Sequence, residues 1–151
     1  MILESFLAYF HLIAIFAWIV FAVSQAAVCH LEWMNEAALK RLVRLDTILW
    51  TATASVALAG LARVIFGMKG VQFYALDWLL YTKIALFLIV ASLQVVPSRH
   101  YRRWLKAFPQ QGLPADDEVR SARRNIMIAT HLMAIIPLPA VFLARGFGYL
   151  G

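Results

Sequence analysis

A single cysteine, Cys29, excludes an internal disulfide. It lies near the end of an apolar run and reads as apolar filler. There is no internal repeat, no low-complexity tract and no glycine-rich nucleotide-binding motif. Five scattered methionines and the one cysteine offer no path for copper. Charge is missing over long distances. Residues 5–31, 47–62 and 125–144 carry none, and residues 78–97 carry one, at Lys83.

What is present is apolar. The chain has 151 residues, 63% of them hydrophobic, with a mean hydropathy of +0.75. Soluble domains hold roughly half. A spanning helix needs about 20 apolar residues. The first and fourth runs reach that directly. The second reaches it if Arg63 snorkels and the helix continues to Phe66. The third reaches it if 78–97 spans with Lys83 facing inward. The expected fold is all-α, a single antiparallel four-helix transmembrane bundle, with helices over 4–29, 46–66, 77–96 and 124–144 of residues 1–151. The first run lacks a basic leader and a small-residue cleavage site, so it is expected to stay as a helix.

Local signals set the expected ends. Asp46 can cap the second helix, with Gly67 after it and a tight turn over 67–70. Phe73, Tyr74, Trp78 and Tyr81 suit an interfacial aromatic belt. Pro97 should stop the third helix. Residues 98–110, basic with interleaved aromatics, suit a short helix on the membrane surface. Asp116 or Asp117 can cap the fourth helix, and Pro137 and Pro139 should kink it. Thr53, Ala57 and Gly60 make a small-residue stripe for close helix contact.

The net charge of +6 is unevenly spread. Loop one holds Lys40, Arg41 and Arg44. Loop three holds Arg99, Arg102, Arg103, Lys106, Arg120, Arg123 and Arg124. The opposite side has Arg63, Lys69 and Arg145. The positive-inside rule puts loops one and three in the cytoplasm and both termini outside, in a bacterial-type inner membrane. The basic charge sets topology and meets anionic lipid of the bilayer. No nucleic-acid partner is implied, and a homo-oligomer stays open.

An ionisable residue within a membrane span marks a functional site by default. Lys83, His11 and His131 qualify. His11, Trp18 and Gln25 are seven apart and share one helix face. Lys83 and Gln94 share a face of the third helix. His11 lies seven residues in from Glu4, and Lys83 six in from Asp77. Each is therefore roughly 10 Å below the outer surface. His131 is counted from the other side and falls roughly 10 Å from that level.

Two depth-matched nitrogen ligands inside a helical bundle suit one haem b, with His11 and Lys83 as axial ligands to the iron and His131 as the alternative to Lys83. Lysine ligates only once deprotonated. Arg63, Lys69 and Arg145 could pair with the propionates, and Trp18 lines the pocket or packs. The plainer readings are a core histidine bonded across helices for His11, snorkelling for Lys83 and a structural hydrogen bond for His131. His30 and His100 suit interfacial polar positions.

The run His11-Leu-Ile-Ala-Ile-Phe-Ala-Trp18, then Arg41-Leu-Val-Arg-Leu, then Trp78-Leu-Leu-Tyr-Thr-Lys83-Ile-Ala-Leu resembles the HemJ-type membrane protoporphyrinogen oxidases over about the first 100 residues. That resemblance implies a small haem b bundle with His11 and Lys83 at the ligand positions. Over nearly the full length, including Ala144-Arg145-Gly146, the chain is similar to DUF2214, a family of small membrane proteins. The leading expectation is a haem b protein moving electrons between a membrane reductant such as quinol and an acceptor. A HemJ-like oxidase of a tetrapyrrole is the first alternative. A non-redox transport or assembly module, with His11, Lys83 and His131 as a proton or ion relay, is the second.

Overall fold

The computed structural model describes residues 2–67 and 70–148. Six helices and one short turn follow in order: α1 Ile2–Val28, a 3-10 turn Leu31–Trp33, α2 Glu36–Phe66, α3 Gly70–Ala75, α4 Trp78–Gln111, α5 Asp116–Ile135 and α6 Pro137–Ala144. No strand occurs among the described residues. α1, α2, α4 and the α5–α6 pair are long and apolar enough to cross a membrane.

The helices form a square. α1 packs on α2 and α5, and α4 packs on α2 and α5, so α1 and α4 face each other across the diagonal. Large side chains such as Phe6, Phe16, Leu58, Leu88 and Leu138 are exposed on the outer faces. The centre mixes small side chains, Ala14 and Ala22 on α1, Ala52 on α2 and Ala129 on α5, with the larger Trp18, Leu49, Ile126 and Met133. Small residues let the helix backbones approach closely, which is how helices associate where lipid removes the hydrophobic drive.

Four sequence expectations need correction. Asp46 does not cap α2. Asn35 does, accepting from the Ala38 N–H at 2.9 Å, and Asp46 lies within the helix, 1% exposed. α4 does not stop at Pro97. It continues through Pro97 and Pro109 to Gln111, so 98–110 is its second half and no separate surface helix. A proline removes one backbone bond and strains the turn, but neighbouring helices hold the segment. The N-cap of α5 is Ala115, without a side-chain bond, and Asp116 and Asp117 sit in the first turn. Ala57 also departs from the small-residue stripe: it is exposed, and the inward face of α2 runs through Thr53, Val56 and Gly60. The kink at Pro137 is present as the break between α5 and α6. The turn expected over 67–70 includes Met68 and Lys69, which lie outside the described residues.

Because α2 and α4 run on, the bundle is longer than a membrane is thick. At 31 and 34 residues they measure roughly 46 and 51 Å, against a hydrocarbon core of about 30 Å. The surplus is at the end rich in arginine, here called the basic end; the other is the terminal end. At the basic end a second core forms around Cys29, Leu39, Leu42, Tyr101, Trp104 and Val119. Burial pushes the Cys29 thiol up, which keeps it an unreactive, protonated filler. Glu118 ties α5 to α4 there. It accepts from Trp104 Nε1 at 2.7 Å and from Arg103 at 2.6 Å. Glu118→Ala should strand the half-buried indole N–H and cost about 1–3 kcal/mol. A lower melting temperature and faster amide exchange over 100–120 would show it; unchanged exchange would mean the tie carries no weight.

Candidate functional site

α1 and α2 lie antiparallel in a fixed register. At the terminal end His11 sits against Gly60: a Cβ on Gly60 would lie 3.3 Å from His11 Cε1 and 3.8 Å from Nδ1. At the basic end Gln25 lies within reach of the Asp46 carboxylate. Fourteen residues separate His11 from Gln25 and Gly60 from Asp46. Trp18 and Thr53 fall midway, at one level. The three residues that share a face of α1 therefore meet three that share a face of α2.

The terminal layer holds His11, 5% exposed. Its Nδ1 has no hydrogen-bond partner, and the Val56 carbonyl lies beside the ring. Lys83 and Arg63 are close enough to act on His11 electrostatically, and Arg63 acts on Lys83. Among the described residues neither cation forms an ion pair. The nitrogens thus form one cluster with an excess of positive charge. Lys83 is half-buried.

The middle layer holds Trp18, 2% exposed, and Gln94, 1% exposed. Trp18 packs against Phe87 of α4 across the diagonal at a tilt, with ring centroids 5.3 Å apart. Thr53 Oγ lies 3.0 Å from Gln94 Oε1 and 2.8 Å from the Leu49 carbonyl, and shares its proton between them. Trp18 Nε1 and Gln94 Nε2 have no partner.

The basic layer holds Gln25 and Asp46. Ser98 Oγ donates to Asp46 Oδ2 at 2.7 Å, and Trp50 Nε1 donates to Ser98 at 3.3 Å. Arg102 lies 3.6 Å from Asp46 Oδ2. The Gln25 amide faces Asp46, but no hydrogen bond of good geometry joins them or reaches either amide atom. An open groove of about 290 Å³, lined by Trp50, Val95, Ser98, Arg99 and Arg102, leads to this layer.

The remaining expected residues separate. His131 is exposed on α5, with Nδ1 2.6 Å from the Met127 carbonyl of its own helix, and does not join His11. Arg145 is exposed just beyond α6. Lys69 lies outside the described residues. Asp46 is the residue that sequence reasoning misassigned. Its signal was available, since Asp46, Thr53 and Gly60 repeat the seven-residue spacing of His11, Trp18 and Gln25.

A family model described as a predicted membrane protein, DUF2214, matches residues 3–148. The chain belongs to the DUF2214 family. No curated protein and no solved structure matches it. The DUF2214 match covers every layer of the column just described, from His11 to Ser98.

Proposed function

We propose that this DUF2214 protein binds one haem b at the terminal end of the bundle and passes electrons within a bacterial-type inner membrane, its basic end toward the cytoplasm. His11 carries the reading. It is a buried imidazole with an unpartnered Nδ1, seated against a glycine and flanked by two cations that no carboxylate among the described residues neutralises. Those features fit what the group requires of a protein: a neutral imidazole for the iron and cations for two propionates.

His11 and a deprotonated Lys83 would be the residues that hold the haem iron. Arg63 would pair with a propionate. Gly60 keeps α2 close enough to fix the imidazole plane, and the Val56 carbonyl holds its orientation, as outer partners of ligating histidines do. Trp18 and Phe87 close the core toward the basic end and exclude water. When bound, the haem supplies reversible one-electron chemistry; a quinol is the class of reductant that reaches such a site from the bilayer.

The test is an oxidised-minus-reduced visible spectrum after haem-supplemented expression. Sharp b-type bands are expected in the wild type and none in His11→Ala. Lys83→Ala should become high-spin. A colourless wild-type protein overturns the proposal. Rescue of a strain lacking protoporphyrinogen oxidase would turn the same site toward tetrapyrrole oxidation.

A further inference from the structure

The groove beside Ser98 takes no part in the haem reading. It lies between α2 and α4 at the basic end and is lined by Trp50, Val95, Ser98, Arg99 and Arg102. Its α4 wall follows from residue spacing. Ser98, Arg99 and Arg102 come three, four and seven residues after Val95, which puts all four on one helix face. Its α2 wall is Trp50, one turn beyond the buried Asp46.

Three of the five lining side chains are tied to that one carboxylate. Ser98 Oγ donates to Asp46 Oδ2 at 2.7 Å and accepts from Trp50 Nε1 at 3.3 Å. The Arg102 guanidinium lies 3.6 Å from the same Asp46 oxygen. Asp46 is 1% exposed, whereas the Arg102 side chain is 63% exposed. The guanidinium is therefore tethered on one edge and open on the other. It presents five donors, which one carboxylate oxygen does not use up. Arg99, at the mouth, is exposed and forms no ion pair among the described residues. Two guanidiniums against one covered carboxylate leave the groove with surplus positive charge.

Depth decides the class of ligand. Counted from Trp78, α4 has crossed a hydrocarbon core of about 30 Å at Pro97. Val95 is on the acyl side of that boundary. Ser98, Arg99 and Arg102 are on the headgroup side, within about 8 Å of it. Trp50 is sixteen residues from Phe66, roughly 24 Å, so its ring is on the acyl side too. An apolar floor with two guanidiniums above it follows the profile of a phospholipid, acyl chains first and then a phosphodiester. Basic pockets between membrane helices bind anionic headgroups in this way.

We propose that the groove between α2 and α4 binds one anionic phospholipid of the phosphatidylglycerol type, its phosphodiester held by Arg99 and Arg102 and its acyl chains lying on Val95 and Trp50. Guanidinium and phosphate oxygens match in a two-pronged geometry. Asp46 sits behind Ser98 and Arg102, so the phosphate meets the guanidinium and the carboxylate only orients it. A zwitterionic lipid brings its own ammonium group, which the two arginines repel. The site is at the opposite end of the bundle from His11 and does not rest on the haem.

The test is native mass spectrometry of the full chain in detergent micelles, titrated with phosphatidylglycerol or with phosphatidylcholine of the same acyl chains. One phosphatidylglycerol should stay bound, about fivefold or more tighter than phosphatidylcholine. Arg99→Gln and Arg102→Gln should each weaken it about fivefold, the worth of one basic side chain at an anionic lipid surface. Arg99 and Arg102 are both exposed, so neither exchange opens a cavity in the core. Arg124→Gln removes the same charge from an exposed position on α5, which does not line the groove, and should leave the affinity unchanged. Inorganic phosphate, exchanged for acetate at equal ionic strength, should not displace the lipid, because it has no chains to rest on Val95 and Trp50. No retained lipid, or equal retention of the two lipids, overturns the site. Equal weakening by Arg124→Gln and Arg99→Gln means attraction to the basic end at large and overturns it too. Displacement by phosphate makes the groove a site for a free anion and overturns the lipid.

Discussion

Gly60→Val should dislodge His11. The glycine is in the middle of a helix, where alanine is better by about 0.5–1 kcal/mol, so its presence needs a packing reason. That reason is the imidazole: a Cβ alone would come within 3.3 Å of Cε1. Gly60→Ala forces a shift of a few tenths of an ångström, which its helix gain offsets, and near-neutral stability is expected. Valine adds two further carbons at the same place. Overpacking of that kind costs about 1–3 kcal/mol, and the ring must leave its seat. Unfolding in mixed micelles should show the loss, and b-type bands should disappear with it. The decisive comparison is a double-mutant cycle. Without the ring there is nothing to strike, so Gly60→Val should be nearly silent in a His11→Ala background, with a coupling of about 1–3 kcal/mol. Additive costs would mean that the contact does not matter.

Trp18→Ala should be the most damaging single truncation in the bundle. Trp18 is 2% exposed and packs against Phe87 across the diagonal at a tilt. Removing so large a buried side chain costs about 3–5 kcal/mol, most of it as a cavity the rigid helices cannot close. Trp18→Phe should recover much of this, leaving about 1–2 kcal/mol. The indole N–H has no partner to lose. Loss of stability in Trp18→Phe as large as in Trp18→Ala would contradict the unpartnered nitrogen.

The four spans and the inward faces were legible because lipid leaves few alternatives. An uncharged run of such length must be a helix, and polar residues such as His11, Gln25 and Gln94 turn toward other helices, with His131 the exception. His11, Trp18 and Gln25 needed only the helical period to be placed together. Asp46 was not legible by the same route, because an aspartate before an apolar run also suits an N-cap. Asn35, eleven residues earlier, takes that role. Continuation past Pro97 was hidden for a related reason. Proline rules describe a helix alone, whereas α4 is held by α2 and α5 on either side of the ring. The diagonal placement of α1 and α4 depends on which faces pack, which residue spacing alone does not encode. The separation of His131 from His11 follows from the rotation of α5, which a depth count ignores.

The matched seven-residue spacing on α1 and α2 makes the chain intolerant of small insertions and deletions in a way unrelated to hydrophobicity. Removing one alanine from the stretch between Trp18 and Gln25 leaves α1 apolar and long enough to cross the bilayer. It also turns everything beyond the cut by about 100°, swinging Gln25 from the Asp46 carboxylate into lipid. Inserting a full seven residues would restore the facing but push the helix end roughly 10 Å out of register with its loop. Length variation among functional forms of this bundle is therefore expected in the connections beyond the basic end, and never inside the three-layer register.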